Sequence, residues 1–548
     1  MRLMAMLFLA ATCGCGADGV TEEEEEPPPP DPEPCGVAEV SSPDGCVSVG
    51  VASCGEGFVS DDRGGCEAIL PAEDCGPGEM AIPGEESCRP IAPCSEEPWG
   101  GIPTDGDIVY VDAAAAGSGD GSMQAPFDAL PAAINAAPSH AVIAMAPGDY
   151  PVATVLAKPL RFWGRCPRDV SLSWAGGSVG AVMNVTPGAS GSEFHRLAIT
   201  SVADVSISAS AEDLLFEEIW LHHAGLGLAG VDVALNPTIL VRGSLFEQVE
   251  GIGLYAGGAT ITFSESVLRD MVPSGLGTGG GAVVSTQGLA KGGSSLVTIE
   301  RSLIDGAFGA AIAADGSGVV VTDSVIRNVV VDQSSGADGY GAVATTGLMA
   351  PGAPGLVVGR SVIENTQTAG ILGIGAALEI TDTVIRDVSP VAIVGQINGE
   401  ALVSEPDLQG VVGSLVARDV VLERSDVGGL LVIDSPAQID GAIVREIRPG
   451  PEALFGDGVM VVSFMTPGSL TVTRTRVDAT TRAGLAAFGA AMAVSGSTSW
   501  CNPIDIAAEQ QGAFEPTVTD GGGNHCACED AAWPCKASSA NLAPPLAL

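Results

Sequence analysis

Nine short cores recur along this chain with their charges in alternation: Ser244-Leu-Phe-Glu247, Ser266-Val-Leu-Arg269, Ser302-Leu-Ile-Asp305, Ser324-Val-Ile-Arg327, Ser361-Val-Ile-Glu364, Thr383-Val-Ile-Arg386, Val420-Val-Leu-Glu423, Ala442-Ile-Val-Arg445 and Thr475-Arg-Val-Asp478. Their first residues stand 22, 36, 22, 37, 22, 37, 22 and 33 positions apart. A step of this length matches one turn of a solenoid built from stacked parallel strands. The period leaves little choice of fold. Each turn carries too few apolar residues for a core of its own and buries them only against its neighbours.

Aligned backwards, Leu197-Ala-Ile-Thr200 and Ile219-Trp-Leu-His222 keep the 22-residue step, and Ser497-Thr-Ser-Trp500 follows Thr475 by the same interval. Within the cores, apolar residues alternate or run on with β-branched enrichment, as in strands buried in a coil. Neither the hexapeptide spacing of left-handed helices nor the Gly-Gly-x-Gly-x-Asp calcium repeat is present. Glycine supplies 74 of 548 residues and aromatics only 4%, which suits tight turns and closely stacked coils. The sequence therefore predicts an all-β chain, a right-handed parallel β-helix over residues 99–500. Each longer step follows an Arg core, and its extra residues fall around 272–295, 330–355, 388–413 and 446–468. With the coils in register, these insertions would project as four loops from one edge of the rod, where solenoids place binding surfaces. The alternative is an irregular extra strand in each.

Parallel strands in successive coils lie about 4.8 Å apart, so residues at one core position stack in a column. Glu247, Arg269, Asp305, Arg327, Glu364, Arg386, Glu423, Arg445 and Asp478 are then expected to form a continuous ladder of opposite charges on an exposed face. Each exposed pair contributes about 0.2–1 kcal/mol. The larger effect is on register, because a slip of one coil sets like charges side by side. Same-sign rungs two coils apart stand about 9.6 Å from each other by the same spacing. That is near the upper end of the carboxylate separation in inverting glycosidases, about 6.5–9.5 Å. Asp305 and Glu364 fit such a role on spacing alone. Arg327 between them would hold both ionised and remove the general acid, and a repeating pattern is not that of a single active site. The ladder reads as structural, with no catalytic residue assigned.

Residues 1–14 read as an export signal: Arg2 carries the positive charge, and Leu3 to Ala11 is apolar but too short to span a bilayer. The run Ala10-Ala11-Thr12-Cys13-Gly14-Cys15 resembles the lipid-attachment box of bacterial lipoproteins, with Thr12 departing from it for either cysteine. Of 14 Cys, processing at Cys15 removes Cys13 and lipidates Cys15, leaving 14 − 2 = 12, an even number for pairing. Processing at Cys13 leaves 13, so Cys15 is preferred, with Cys13 the alternative and plain secretion a third outcome. Residues 15–34 continue through Glu22 to Glu26 into a proline run, an extended tether.

Residues 35–98 hold Cys35, Cys46, Cys54, Cys66, Cys75, Cys88 and Cys94 amid Gly, Pro and acid, with too few large apolar residues for a core. Disulfides are the expected substitute. No CxxC pair and no His accompanies them, which speaks against a metal site. Seven is odd, so one Cys pairs outside the module. Cys166 is the natural partner and Cys94 the nearest candidate to meet it, with connectivity otherwise open. In residues 501–548, Cys501, Cys526, Cys528 and Cys535 are expected to make two disulfides that pin a cap, zinc with His525 being the alternative.

The stretch Asp107-Ile-Val-Tyr-Val-Asp112, Gly117-Ser-Gly-Asp-Gly-Ser122, Ala125-Pro-Phe127 and Leu130-Pro-Ala-Ala-Ile-Asn-Ala136 resembles the leading segment of bacterial pectate-lyase-like parallel β-helix proteins. Ala141 to Tyr150 and Leu160 to Gly164 are similar to their first two strands. The resemblance covers about residues 107–166 and implies a strand, an Asp/Gly loop and a helix that caps the open end. Beyond that it holds through the coil period alone. The polygalacturonase-like members carry Asn-x-Asp, Asp-Asp, Gly-His-Gly and Arg-x-Lys on successive coils. In this chain the one Asp-Asp is Asp61-Asp62 in the Cys-rich segment, no His precedes Gly, and none of Lys158, Lys291 and Lys536 ends an Arg-x-Lys. Arg165 and Arg168 flank Cys166-Pro167 without the acidic cluster a pectate lyase needs for calcium.

A net charge of −44 repels nucleic acid and anionic membranes, so membrane contact is expected only through the lipid anchor. Asp120 could hold calcium with loop carbonyls, though a single acid makes a weak site; no other cofactor or metal is implied. His222 and His223, adjacent on a strand, are expected to face apart. The expected function is that of a non-catalytic surface lipoprotein, at the outer membrane or cell surface, or secreted. It would act in adhesion or bind a polysaccharide or surface protein along the looped edge. Alternatives are a polysaccharide lyase or glycoside hydrolase with a divergent site in the loops, and a structural spacer. Oligomeric state is left open.

Overall fold

The computed structural model describes residues 35–545 apart from 98, 100, 104, 177–179, 234, 274–280, 289–292, 333–338, 348–354, 392–397, 452–453 and 530. The export signal, Cys13, Cys15 and the tether lie outside the described residues, as do parts of each insertion.

Each turn of the chain contributes three short strands. Thr238–Arg242, Leu245–Val249 and Leu254–Gly257 make one turn; Thr260–Ser264, Val267–Arg269 and Val283–Thr286 make the next. They pair in parallel and in register: Ile239 with Ile261, Phe246 with Leu268, Tyr255 with Val284. Three parallel sheets result. The first has sixteen strands, from Ile108–Val111 to Thr517–Asp520. The second carries the repeated cores and is the ladder sheet. The third joins it through two twelve-residue strands, Ala198–Ala209 and Trp220–Val231, that run from one sheet into the other. Crossovers between parallel strands of one sheet are right-handed as a rule, and the fold is a right-handed parallel β-helix.

Strand alternation decides which positions face the core. In the ladder sheet the third core position turns inward, so Phe246, Leu268, Ile304, Ile326, Ile363, Ile385, Leu422 and Val444 form one buried column. In the first sheet Phe162, Phe194 and Phe216 stack with ring centroids 4.9 and 4.7 Å apart, the spacing of the strands themselves. The first core position has another task. Ser266 Oγ donates to Ser264 O at 2.7 Å and accepts from Ser244 N at 3.0 Å. Ser302 Oγ likewise donates to Glu300 O at 2.7 Å and accepts from Ser266 N at 3.2 Å. Each hydroxyl satisfies two backbone groups at a corner where the strand ladder is interrupted. The residue before it lies in the left-handed region in every coil from Arg196 to Gly496, with φ between 44 and 68°. That conformation turns the chain from the first sheet into the ladder sheet.

The longer steps divide their extra residues between both corners of the third sheet. Segments 270–282 and 287–295 flank Val283–Thr286, and 330–339 and 346–355 flank Tyr340–Thr345. Segments 390–399 and 406–413 flank Glu400–Glu405, and 446–456 and 463–468 flank Asp457–Val462. The expected single looped edge is therefore corrected to two, because the excess is split around a third-sheet strand of ordinary length.

Helix Leu130–Ala136, with Pro131 in its first turn, closes the first-coil end by burying Leu130, Ala133 and Ile134. Among the described residues no helix is long and apolar enough to cross a membrane. At the last coil, the hairpin of His525–Cys528 and Ala531–Trp533 is fixed by Cys501–Cys528 and Cys526–Cys535.

Residues 35–98 do not stand apart: Cys35–Leu548 form one compact unit. Three hairpins, Glu39–Ser42 with Gly45–Ser48, Phe58–Ser60 with Cys66–Ala68, and Glu79–Met80 with Arg89–Pro90, follow one another. They are clasped by Cys35–Cys46, Cys54–Cys66 and Cys75–Cys88, and Cys94–Cys166 ties the segment to the rod. This strap lies along the outside of the ladder sheet and runs against coil growth, with Gly36 on Arg476 at one end and Pro93 on Arg196 at the other. Its Val40, Val49, Phe58, Met80, Ile82 and Ile91 pack on Leu245, Val267, Leu303, Val325, Val362, Val384, Val421 and Ile443, the second core position. Second and fourth positions share the outer surface, so covering the apolar column covers most of the charged one too.

Candidate functional site

The ladder residues stand in register, each beside the next, yet their ion pairs are discrete. They close across the 22-residue steps: Arg269 on Glu247 at 2.7 Å, Arg327 on Asp305 at 2.8 Å, Arg386 on Glu364 at 2.6 Å and Arg445 on Glu423 at 2.6 Å. Asp478 takes its partner from its own strand, Arg476 at 2.7 Å. Among the described residues no pair closes this column across a longer step. Those steps are bridged in neighbouring columns, by Glu265–Arg301 at 3.2 Å, Asp323–Arg360 at 2.7 Å, Asp387–Arg424 at 2.8 Å and Asp440–Arg474 at 2.6 Å. Opposite charges mark the register throughout, in alternating columns rather than one.

The remaining guanidinium N–H groups of Arg269, Arg386, Arg445 and Arg476 serve the strap. Arg269 donates to Cys75 O and Gly76 O at 3.0 and 2.8 Å, and Arg386 to Glu67 Oε2 at 2.7 Å. Arg445 donates to Arg63 O at 2.6 Å, and Arg476 to Gly36 O and Glu39 O at 3.0 and 3.1 Å. The planar fork lets one arginine hold a carboxylate and a strap carbonyl together. Two of these pins reach the glycine of a Cys-Gly pair, Cys35-Gly36 and Cys75-Gly76. At the third such pair, a Cβ on Gly55 would lie 2.1 Å from Asp323 Oδ1 and 3.1 Å from Arg360 Cβ, so a larger residue would have to displace the Asp323–Arg360 pair. Cys-Gly at positions 35, 54 and 75 is the sequence signal of a repeated strap unit, and the ladder reading passed over it. The expectation of an exposed ladder is corrected accordingly: Glu423 and Arg445 are 2% and 3% exposed beneath the strap.

Asp305 and Glu364 do not share a space. Glu364 is bound to Arg386, which Glu67 of the strap grips from above. Asp305 opens instead onto a cleft of about 420 Å³ between strap and rod, whose other polar walls include Glu73, Asp74, Asp270, Arg327 and Asn328. There it accepts from Arg327 Nε at 2.8 Å and Asn328 Nδ2 at 2.7 Å. Burial, helped by the charges of Glu247, Asp305 and Asp74, raises the neighbouring Asp270 above its ordinary value despite Arg269 beside it.

A larger open cleft, about 630 Å³, lies at the first-coil end, bordered by Trp99, Asp112 and residues 115–119 and 123–126. Asp120 belongs to the same loop. Its Oδ1 accepts from Ser122 N at 3.0 Å, and the bonds to Ser122 hold its carboxyl below the usual value. Among the described residues, side-chain donors gather in threes at Cys35, Glu39 and Cys46 and at Cys94, Cys166 and Asp169. All four sulfurs are in disulfides and offer no thiolate.

The expectation that His222 and His223 face apart is corrected. His223 takes a φ of 50°, the strand bends, and the two Nδ1 atoms stand 2.7 Å apart. Burial and the neighbouring ring push His222 down to about 4.

The third sheet holds groups that no motif announced. Leu372, Val403, Leu431, Met460 and Phe488 form a buried band on its outer surface, and Leu542 of the C-terminal tail packs against it. Glu400 lies buried in that band, and burial pushes it up to about 8 against the pull of the Glu400 and Gly399 backbone N–H groups. Gly428 separates it in register from Asp457, on which Arg482 Nε sits at 2.8 Å. A buried acid beside a carboxylate–guanidinium pair resembles acid–base machinery. Both carboxyls are 0% exposed, however, and Met460 Cε lies 2.5 Å from where a Gly428 Cβ would stand. A substrate has no access to them.

No protein-family model and no curated protein matches the sequence. Among solved structures, the chain is similar to the catalytic unit of a thermostable GH87 α-1,3-glucanase from Streptomyces thermodiastaticus strain HF3-3, at 16% identity over 79% of this chain and 70% of that one, TM-score 0.44. It is also similar to the catalytic domain of a GH87 α-1,3-glucanase in complex with nigerose, at 12% identity over 79% and 71%, TM-score 0.40. The periplasmic alginate epimerase AlgG matches at 11% identity over 70% and 79%, TM-score 0.39. These distant likenesses say nothing about the chemistry of this chain.

Proposed function

We propose that the protein is an exported, surface-displayed rod that binds without catalysis, an adhesion module for a polysaccharide or another surface protein, tethered through a lipid on Cys15. The observation that carries this reading is the strap. The column most like a row of catalytic carboxylates is largely the floor of an internal interface, with each acid matched to an arginine. Six disulfides fit maturation in an oxidising compartment. The test is a glycan array run beside a lyase and hydrolase screen on the full chain. Retention of a polysaccharide without product is expected. Turnover of any polysaccharide that is lost in Asp305→Asn overturns the reading.

One observation favours a hydrolase as the second reading. In the cleft between strap and rod, Asp270 is raised while Asp305 is held by Arg327 and Asn328. A carboxyl raised by burial beside a second carboxylate is the arrangement from which glycoside hydrolysis draws its general acid. Turnover abolished by Asp270→Asn, with the fold intact, would establish it.

A further inference from the structure

We propose that the open cleft at the first-coil end binds an uncharged hexose polymer. The proposal rests on the binding reading above and names both its site and its ligand class.

The cleft is built rather than incidental. Asp120 N and Gly121 N both donate to Ala125 O, at 2.9 and 3.0 Å, and Tyr110 N donates to Gly121 O at 2.9 Å. Asp112 Oδ1 accepts from Ala114 N at 2.9 Å. A Cβ on Gly119 would lie 2.0 Å from Ala125 O, so glycine alone lets the loop close on itself. Trp99 is braced edge-on against Tyr110, with ring centroids 5.0 Å apart at 77°. A wall fixed before binding spends little entropy on ordering itself.

The lining suits a sugar. Trp99 offers a flat apolar surface for the C–H face of a pyranose, and Met123 extends it. Asp112 and Gln124 offer an acceptor carboxylate and a carboxamide, which pair with vicinal hydroxyls. The volume of about 630 Å³ falls within the ~300–1,000 Å³ of small-ligand sites, and the open mouth lets a polymer run on past it. Charge selects the class. Among the described residues that line the cleft, Asp112 is the one charged group and none is Lys or Arg, and the chain carries −44 overall. A polyuronate would meet repulsion without a compensating cation.

The test is titration of the full chain with cellohexaose, maltohexaose and mannohexaose, and with hexagalacturonate as the charged control, read by calorimetry and by tryptophan fluorescence. At least one neutral hexasaccharide is expected to bind, and the uronate to bind at least tenfold more weakly. Trp99→Ala should weaken the neutral ligand at least tenfold with an unchanged melting curve. Asp112→Asn, which keeps the oxygen that Ala114 needs, should weaken it severalfold and gives the same answer if Trp99→Ala proves unstable. Neutral sugar bound equally well by both variants overturns the site but leaves the binding reading standing. Tighter binding of the uronate overturns the ligand class. If no saccharide binds here or on the glycan array, the site and the polysaccharide reading fall together.

Discussion

Replacing Arg445 by methionine separates a buried latch from a solvated ladder. Arg445 Nε donates to Glu423 Oε2 at 2.7 Å and its Nη1 to Arg63 O of the strap at 2.6 Å. Methionine keeps much of the apolar stem and deletes both donations. Breaking one side of a buried ion pair costs about 3–5 kcal/mol, because the other charge stays buried. The strap carbonyl loses a hydrogen bond worth about 1 kcal/mol. Arg424, which also reaches Glu423, recovers part of this. The expected loss is about 3–4 kcal/mol. The same change at Arg327 should cost about 1 kcal/mol or less, because that pair borders the cleft with side chains 24% and 17% exposed. The assay is urea unfolding by circular dichroism, with trypsin cleavage after Arg63 reporting release of the strap. Glu423→Gln combined with Arg445→Met should regain most of the loss, since no charge is then stranded. Losses under about 1 kcal/mol at both arginines, in the exposed-pair range, would mean that the strap does not cover the ladder.

Three further outcomes follow from the same geometry. Cys166→Ser opens a 72-residue closure, worth about 4 kcal/mol by loop entropy, and should speed hydrogen exchange in the hairpin of Glu79 and Arg89 before any coil; uniform protection would contradict this. Ser302→Ala removes the bond to Glu300 O and strands Ser266 N, at a cost of about 1–3 kcal/mol by thermal melting. The pH dependence should have two limbs of opposite sign. Glu400, raised to about 8 by burial, supports the fold fully below its ordinary 4.5, and that support is lost as pH climbs toward 8, so the melting temperature should fall over this range and Glu400→Gln should flatten the slope. Against the pull of burial, hydrogen bonds from Ser539, Ala540 and Leu542 hold Glu509 below its ordinary 4.5. Attachment of the tail is therefore complete above that value and lost as pH drops through the depressed one, which amide exchange at Ala540 and Leu542 would register and Glu509→Gln would abolish.

The coil architecture was legible because stacking makes every turn solve the same problem, so Ser, apolar, apolar, charge recurs where each coil must cap, bury and pair. The strap was legible only in part. A half-exposed strand alternates apolar and polar, whereas Leu245-Phe246, Val267-Leu268 and Val325-Ile326 are apolar at both middle positions. Two consecutive apolar residues on a strand imply cover on both faces, and the outer cover had to come from elsewhere in the chain. Nothing local says that residues 35–98 provide it, because that docking joins positions hundreds of residues apart, as in Gly36 with Arg476. Glu400 was illegible for a related reason: its burial comes from packing across the third sheet, with no repeating signature.

Thr475-Arg-Val-Asp478 is the one core of the nine whose second position is not apolar, and the strap explains it. Gly76 hangs from Arg269, a ladder arginine. From the coil of Arg269 to that of Asp478 there are seven strand pairings, a rise of about 34 Å at the parallel-strand spacing. Seven is odd, and the ladder alternates, so the coil beneath Gly36 presents an acid where the coil beneath Gly76 presents an arginine. An ionised acid cannot donate to a carbonyl. Arg476 at the second position restores the donor: it grips Gly36 O and Glu39 O, and its Nε neutralises Asp478 at 2.7 Å. The odd residue in the repeat is therefore where two periods fall out of step, that of the strap and that of the charges. Arg476→Val would bring the core closer to the consensus of its neighbours, yet it should loosen the first hairpin and leave the half-buried Asp478, whose Oδ1 already lacks a partner, with no cation on its own strand.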